Sequence, residues 1–243
     1  MTISLFNKID IHILNDLLTT IDHNKSDELS EIMSKYGSDK GWGLCVNYIQ
    51  NNILSPNGVC HNYTYFYNYL FSKYRNENIL IFEMGVGVPS CMNSWAGSLR
   101  GWEEYFKNSL IFSADFDREY LYNKNRISSF FVDQENTDSI INLWSQLPDI
   151  TFDLMLDDGP HTYSSNYLFF INSINKLRSG GIYIIEDVNL IFIDELYVNI
   201  IDYCITNDIC IEHEKLIIPY PLKFTHPSND ILKMNNLIII KKL

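Results

Sequence analysis

Residues 79–90 read Ile79-Leu80-Ile81-Phe82-Glu83-Met84-Gly85-Val86-Gly87-Val88-Pro89-Ser90, and this stretch decides the fold. A short β-prone run passes directly into two glycines, which predicts a buried strand ending in a tight turn where the backbone is free to approach a ligand. A dinucleotide fingerprint would place a third glycine at position 90, where this chain has Ser90 after Pro89. The pyrophosphate reading is thereby weakened, and a strand-to-helix turn without a ligand stands beside it.

Outward from this strand, Ile79 to Met84, the chain alternates short β-branched or aromatic runs with helical stretches, the pattern of β-α-β units around a parallel sheet. The further strands are Leu110 to Asp115, Ile127 to Val132, Phe152 to Asp157 and Ile182 to Glu186, with a turn at Gly180-Gly181 before the last. Helices are expected over 91–106, 136–147, 163–178 and 193–207. A closing antiparallel pair is expected from Ile209 to Ile218 and from Asn236 to Lys241. The sum is an α/β, doubly wound, Rossmann-like sheet that is mostly parallel with an antiparallel last strand, and such sheets bind ligands beyond their C-terminal strand ends. Upstream, Ile9, Ile13, Leu14, Leu17 and Leu18 recur at helical spacing. Residues 1–75 are thus expected to form a helical N-terminal extension, with turns at Tyr36 to Gly41 and Ser55 to Gly58, and residues 76–243 the core.

The 243 residues carry a net charge of −12. Such a field repels phosphate backbones and anionic membranes, so no nucleic-acid or membrane partner is expected. Five cysteines, odd in number and without a C-x-x-C pair, argue against a disulfide framework or a zinc site and for a reducing, cytoplasmic setting. The first residues show no basic flank followed by an apolar core, and no apolar run approaches the roughly 20 residues that span a bilayer, so neither a secretory leader nor a membrane span is expected.

Chemistry-bearing groups gather at the strand ends. Asp115 or Asp117 follows the second strand at a spacing suited to ribose hydroxyls, although either could cap a helix. Asp133-Gln134-Glu135 follows the third, within reach of an adenine amino group. The fourth strand delivers Leu156-Asp157-Asp158-Gly159-Pro160-His161 and the fifth Ile185-Glu186-Asp187. If these strands are neighbours, Asp157, Asp158, Glu186 and Asp187 share one volume, where like charges repel unless a cation such as Mg²⁺ neutralises them. His161 then stands where a general base would work beside the metal. The alternative is that the acids are helix caps and His161 a loop residue. His61 is singled out beside Tyr63, Thr64 and Tyr67. His12, His23, His213 and His226 are read as surface or satisfied side chains, and Trp95, Trp102 and Trp144 as core.

Taken in order, Asp39-Lys40, His61-Asn62-Tyr63, Glu83-x-Gly85-x-Gly87, Asp115, Asp133-Gln134, Asp157-Asp158-Gly159-Pro160-His161, Gly180-Gly181 and Glu186-Asp187 resemble the class I S-adenosylmethionine-dependent methyltransferases of the macrolide-sugar O-methyltransferase and cephalosporin-hydroxylase-like group. The resemblance covers residues 36 to 190. It implies a methyltransferase sheet and Mg²⁺-dependent methylation of a sugar hydroxyl, on a nucleotide-activated sugar or a surface or capsular polysaccharide residue such as a heptose. It also implies that Lys40, Tyr63, Glu83, Gly85, Gly87, Asp115, Asp133, Gln134 and Asp157 bind the cofactor. Asp158, Glu186 and Asp187 would bind the metal, His161 with Asp158 would be catalytic, and His61 with His161 would meet the substrate. A homo-oligomer and a lid formed by residues 1–75 are further implications. Two departures are Pro89 in the glycine loop and Pro160 before the histidine. The competing readings are an NAD(P)-dependent oxidoreductase, from which the third glycine is missing, and a non-catalytic methyltransferase-like subunit.

Overall fold

A computed structural model describes residues 3–21, 26–41, 61–87, 95–219 and 233–243. The glycine-ended run forms β1 (Leu80–Met84) in the interior of a seven-stranded sheet. It pairs in parallel with β2 (Leu110–Asp115) on one side and β4 (Phe152–Asp157) on the other. Beyond these lie β3 (Ile127–Phe131) and β5 (Leu177–Ile185). The last strand, β7 (Asn236–Lys242), inserts antiparallel between β5 and β6 (Ile211–Ile217), giving the order β3-β2-β1-β4-β5-β7-β6. The strand order reverses between β1 and β4, so the loops after these strands open the crevice where ligands of such sheets bind.

Strand side chains alternate between two layers. Ile81, Leu154, Leu156, Ile182 and Ile184 join one core with Leu14, Leu29, Phe66, Phe71, Trp102 and Phe106. These come from α1 (Leu14–Leu17), α2 (Glu28–Lys35), α3 (Tyr63–Phe71), α4 (Gly97–Tyr105) and the residue that ends it. Phe82, Met84, Met155, Tyr183 and Ile185 face the other core, with Ile140, Trp144, Phe169, Phe170, Leu196 and Ile200. These lie on α5 (Thr137–Ser145), α6 (Tyr163–Ser173) and α7 (Ile193–Thr206). No helix among the described residues is long and apolar enough to cross a membrane.

Three expectations need revision or fall outside view. Gly180-Gly181 is not a turn before the fifth strand but lies inside it, at a register shift between β4 and β5. Gly180 has φ +78°, and a Cβ there would sit 2.6 Å from the Asn7 side chain, so glycine is required where the bulge meets the N-terminal segment. Trp95 is half exposed and donates to the Tyr120 carbonyl rather than entering the core. The Ser55 to Gly58 turn, Pro89, Ser90 and the first residues of the expected 91–106 helix lie outside the described residues.

Candidate active site

The acids at the ends of β4 and β5 divide between the two faces of the sheet, because successive strand residues point to opposite sides. Asp157 follows the register of Met155 and faces α5 and α6; Asp158 and Glu186 follow Leu156 and Ile184 and face α2 and α3. This corrects the expectation that all four acids share one volume. Asp157 is fully buried, and its two oxygens accept from Gln134 Nε2 (2.7 Å) and Asn166 Nδ2 (3.0 Å). It is a buttress for the loop after β3. Gln134, 2% exposed, is turned inward with it.

Burial pushes the Asp157 carboxyl up to about 6, against the hydrogen bonds from Asn166 and Gln134 that favour the anion. Its folded value lies above the ordinary 3.8, so the folded protein holds the proton more tightly than the unfolded chain. Stability from this group is present at low pH and is lost as pH rises from about 4 through about 6, an effect on the order of 3 kcal/mol. Asp157→Asn is expected to flatten the dependence of the urea midpoint on pH across that window. An unchanged slope would show that Asp157 is not its source.

On the opposite face, Lys40 Nζ reaches Asp158 Oδ2 (2.5 Å) and Glu186 Oε2, with Glu83 Oε1 3.5 Å away. Lys40 is 1% exposed, so its ammonium meets these carboxylates rather than open solvent. Burial opposes its charge, but Asp158, Glu186, Glu83 and Asp39 outweigh that and hold it well above the ordinary lysine range. Glu83 is fully buried and accepts from Ser98 Oγ and Trp102 Nε1, both at 2.6 Å. It therefore ties β1 to α4 rather than offering an oxygen to a ligand. Glu186 accepts from Tyr67 OH (2.7 Å) as well as Lys40, and burial pushes its carboxyl well up despite the ammonium.

The outward-facing groups form a tighter set. Asp158, His161 and Asp187 each bring one ligand atom to within 4.8 Å of the others. His161 Nε2 stands 3.8 Å from Asp158 Oδ1 and 3.8 Å from Asp187 Oδ2, close enough to converge but too far to hydrogen-bond. Nδ1 of His161 is buried without a hydrogen-bond partner among the described residues. Both His161 (φ +56°) and Asp187 (φ +54°) have left-handed backbones, a conformation that costs a non-glycine residue roughly 1–2 kcal/mol. Strain held at two residues of one cluster marks it as a site. Thr162, directly after His161, caps α6 with Ser165 in a reciprocal box, which fixes the loop's exit.

Asp187 is gripped from behind. Tyr63 OH donates to its Oδ1 (2.6 Å), and His61 Nε2 lies 3.3 Å from the same oxygen while Nδ1 faces Asn235 Oδ1 at 3.0 Å. Burial raises the Asp187 carboxyl, but His61, His161 and Tyr63 outweigh it and leave the net shift downward, toward the anion. His61 is 4% exposed and stacks on Tyr63 at 4.6 Å, so both residues support Asp187, and neither is presented openly to a substrate or cofactor as the sequence suggested.

Three carboxylates, Glu83, Asp158 and Glu186, thus surround one lysine, and those of Asp158 and Asp187 converge on an imidazole. Hard oxygen donors with residual negative charge suit a divalent cation such as Mg²⁺. The loops after β1 and β2 lie beside this cluster. Gly85 has φ +92°, and a Cβ there would sit 2.2 Å from the Asp158 carbonyl, so the glycine loop and the acidic loop are in backbone contact. Gly87 has φ +85° and is exposed. Asp115 pins that loop, accepting from the Val86 and Asp117 backbone N–H groups, both at 2.9 Å. Each oxygen keeps further acceptor capacity for a diol. Asp133 is partly exposed at the end of β3, where its Oδ1 accepts from the Glu135 N–H.

Sequence reasoning passed over Tyr67, Asn166 and the Trp102 indole as polar partners. Tyr67 was legible, since it lies one helical turn after Tyr63 on α3. Asn166 and Trp102 carried no local signal, because burial against an acid decides their role. His12 pairs with Glu214 at 2.6 Å and His213 meets Tyr197 OH at 2.7 Å, both satisfied as expected; His23 and His226 lie outside the described residues.

No protein-family model matches the chain. It is 30% identical over 144 residues, 59% of its length, to the demethylmacrocin O-methyltransferase of Streptomyces fradiae. It is 27% identical over 172 residues, 71% of its length, to the 8-demethyl-8-alpha-L-rhamnosyl tetracenomycin-C 2'-O-methyltransferase of Streptomyces olivaceus. The chain spans 36% and 40% of these relatives' own lengths. In structure it matches the MycE methyltransferase of the mycinamycin biosynthetic pathway, solved in complex with Mg and SAH, at TM-score 0.60 and 20% identity over 90% of this chain and 55% of that one. The chain's sequence relatives are thus sugar O-methyltransferases of the kind the motifs resemble, and the fold is the class I methyltransferase fold.

Proposed function

We propose that this chain, similar in sequence to macrolide-sugar O-methyltransferases and sharing the class I methyltransferase fold, is a Mg²⁺-dependent sugar O-methyltransferase that uses S-adenosylmethionine. The observation that carries the reading is the convergence of Asp158, Asp187 and the strained His161 beside the Gly85 loop. When bound, S-adenosylmethionine supplies an electrophilic sulfonium methyl group, and Mg²⁺ supplies a Lewis acid that orients and acidifies sugar oxygens. Asp158, Glu186 and Asp187 are the carboxylates assigned to hold the cation. Gly85 and Gly87 let the loop backbone approach the cofactor, Asp115 accepts from its ribose hydroxyls, and Asp133 borders its base.

A sugar hydroxyl is a weak nucleophile, so the protein's own task is to remove its proton while the methyl acceptor oxygen is held in line. His161 Nε2, which faces the cluster, is the group assigned to take that proton. Tyr63 and His61 keep Asp187 in place. The rhamnosyl substrate named for the Streptomyces olivaceus relative favours a sugar already linked to an aglycone or polymer over a free nucleotide sugar.

Isothermal titration of S-adenosylhomocysteine into the purified protein, with Mg²⁺ and again with EDTA, tests the cofactor half. Saturable binding in both is expected, because none of Gly85, Gly87, Asp115 and Asp133 is among the carboxylates assigned to the cation. Saturable binding of NAD(H) with none of S-adenosylhomocysteine would overturn the reading.

A further inference from the structure

We infer that Lys40 is an internal counter-cation drawing on the same carboxylates as the divalent cation, so that its ammonium and the metal compete for Asp158 and Glu186. The inference rests on the Mg²⁺ reading above. Lys40 is delivered to the cluster by a fixed segment: its carbonyl accepts from the Thr64 N–H (3.2 Å) and the Asp39 carbonyl from the His61 N–H (2.6 Å), which ties residues 39 and 40 to the start of α3. The ammonium then lies among Asp158, Glu186 and Glu83, contributed by the ends of three neighbouring strands.

Asp158 stands between the ammonium and the imidazole. Its Oδ2 belongs to Lys40 at 2.5 Å, while its Oδ1 faces His161 in the outer cluster. Glu186 gives Oε2 to the ammonium and Oε1 to the Tyr67 hydroxyl, so release of the ammonium would free one of its oxygens. With Asp158, Glu186 and Glu83 gathered around one ammonium, loss of Lys40 leaves carboxylates without that counter-charge, which destabilises a fold strongly. A divalent cation restores that charge. Lys40 is on this account a positioning residue, one that keeps the acidic strand ends assembled and sets how tightly they take a metal.

The test compares wild type with Lys40→Met, which keeps the length of the side chain and removes its charge. Mn²⁺ binding is read by electron paramagnetic resonance, and the thermal midpoint is measured in EDTA and in excess Mg²⁺. Removing one positive charge at short range is expected to tighten Mn²⁺ binding by at least about tenfold. The variant's midpoint should fall in EDTA and be raised by Mg²⁺ more than the wild type's. A merely structural lysine predicts the opposite, weaker metal binding together with the lower midpoint. Lys40→Met that binds Mn²⁺ no more tightly than wild type overturns the inference, whereas wild type that binds no Mn²⁺ overturns the metal reading itself. If Lys40→Met does not fold in EDTA, Lys40→Met with Glu186→Gln removes one charge of each sign. That pair is expected to fold and to lose the gain in affinity; a pair as destabilised as the single variant would contradict the shared-carboxylate account.

Discussion

His161→Asn is expected to lower kcat for methyl transfer by about 10²–10⁴-fold, the usual contribution of a positioned general base, with S-adenosylhomocysteine affinity unchanged. Asparagine is chosen because residue 161 has φ +56° and asparagine tolerates a left-handed backbone better than alanine. The loss then reports the missing base and not a rearranged loop. The nucleotide groups, Gly85, Gly87, Asp115 and Asp133, do not touch the imidazole, so cofactor binding should survive. Turnover within a few-fold of wild type would support a non-catalytic or base-independent role and reject the assignment of His161.

Asp187→Asn has the second largest expected effect, a loss of about 100-fold or more in Mg²⁺ affinity, since supporting groups around a metal alone account for 10- to 100-fold and Asp187 is assigned as a direct ligand. Here too the substitution suits the backbone, at φ +54°. The Tyr63 hydroxyl keeps an oxygen acceptor, so the 2.6 Å contact has a substitute and the fold should be retained. Calorimetric titration of Mg²⁺ checks the prediction. An affinity within a few-fold of wild type would remove Asp187 from the ligand set.

Much of this was legible in the sequence, because the fold rests on local signals. The runs Leu110–Asp115 and Phe152–Asp157 coincide with strands β2 and β4, since β-branched and aromatic residues bounded by polar turns leave little ambiguity. The doubly wound order followed from the alternation of strands and helices. Gly180 and Gly181 were misread because a glycine pair signals a turn unless a neighbour crowds it, and that neighbour, Asn7, is remote in sequence.

The site was legible as a neighbourhood and less so as an arrangement. Adjacent acids such as Asp157 and Asp158 must point to opposite faces once they end a strand, so their separation was available from period alone. Glu83 and Lys40 were harder. The family resemblance implied contact with a cofactor, whereas the structure pairs them with Trp102, Ser98, Asp158 and Glu186, and pairing inside a core is decided by the tertiary fold. The strained backbones of His161 and Asp187 leave no trace in the sequence.

Transfer of radiolabelled methyl from S-adenosylmethionine to a panel of rhamnosides and other glycosides with vicinal hydroxyls, in Mg²⁺ and in EDTA, tests the central claim most directly. The account predicts a methyl ether on a sugar oxygen, formed in Mg²⁺ and abolished by EDTA. Methyl transfer that proceeds equally in EDTA, or that places the methyl group on an atom other than a sugar oxygen, would contradict it.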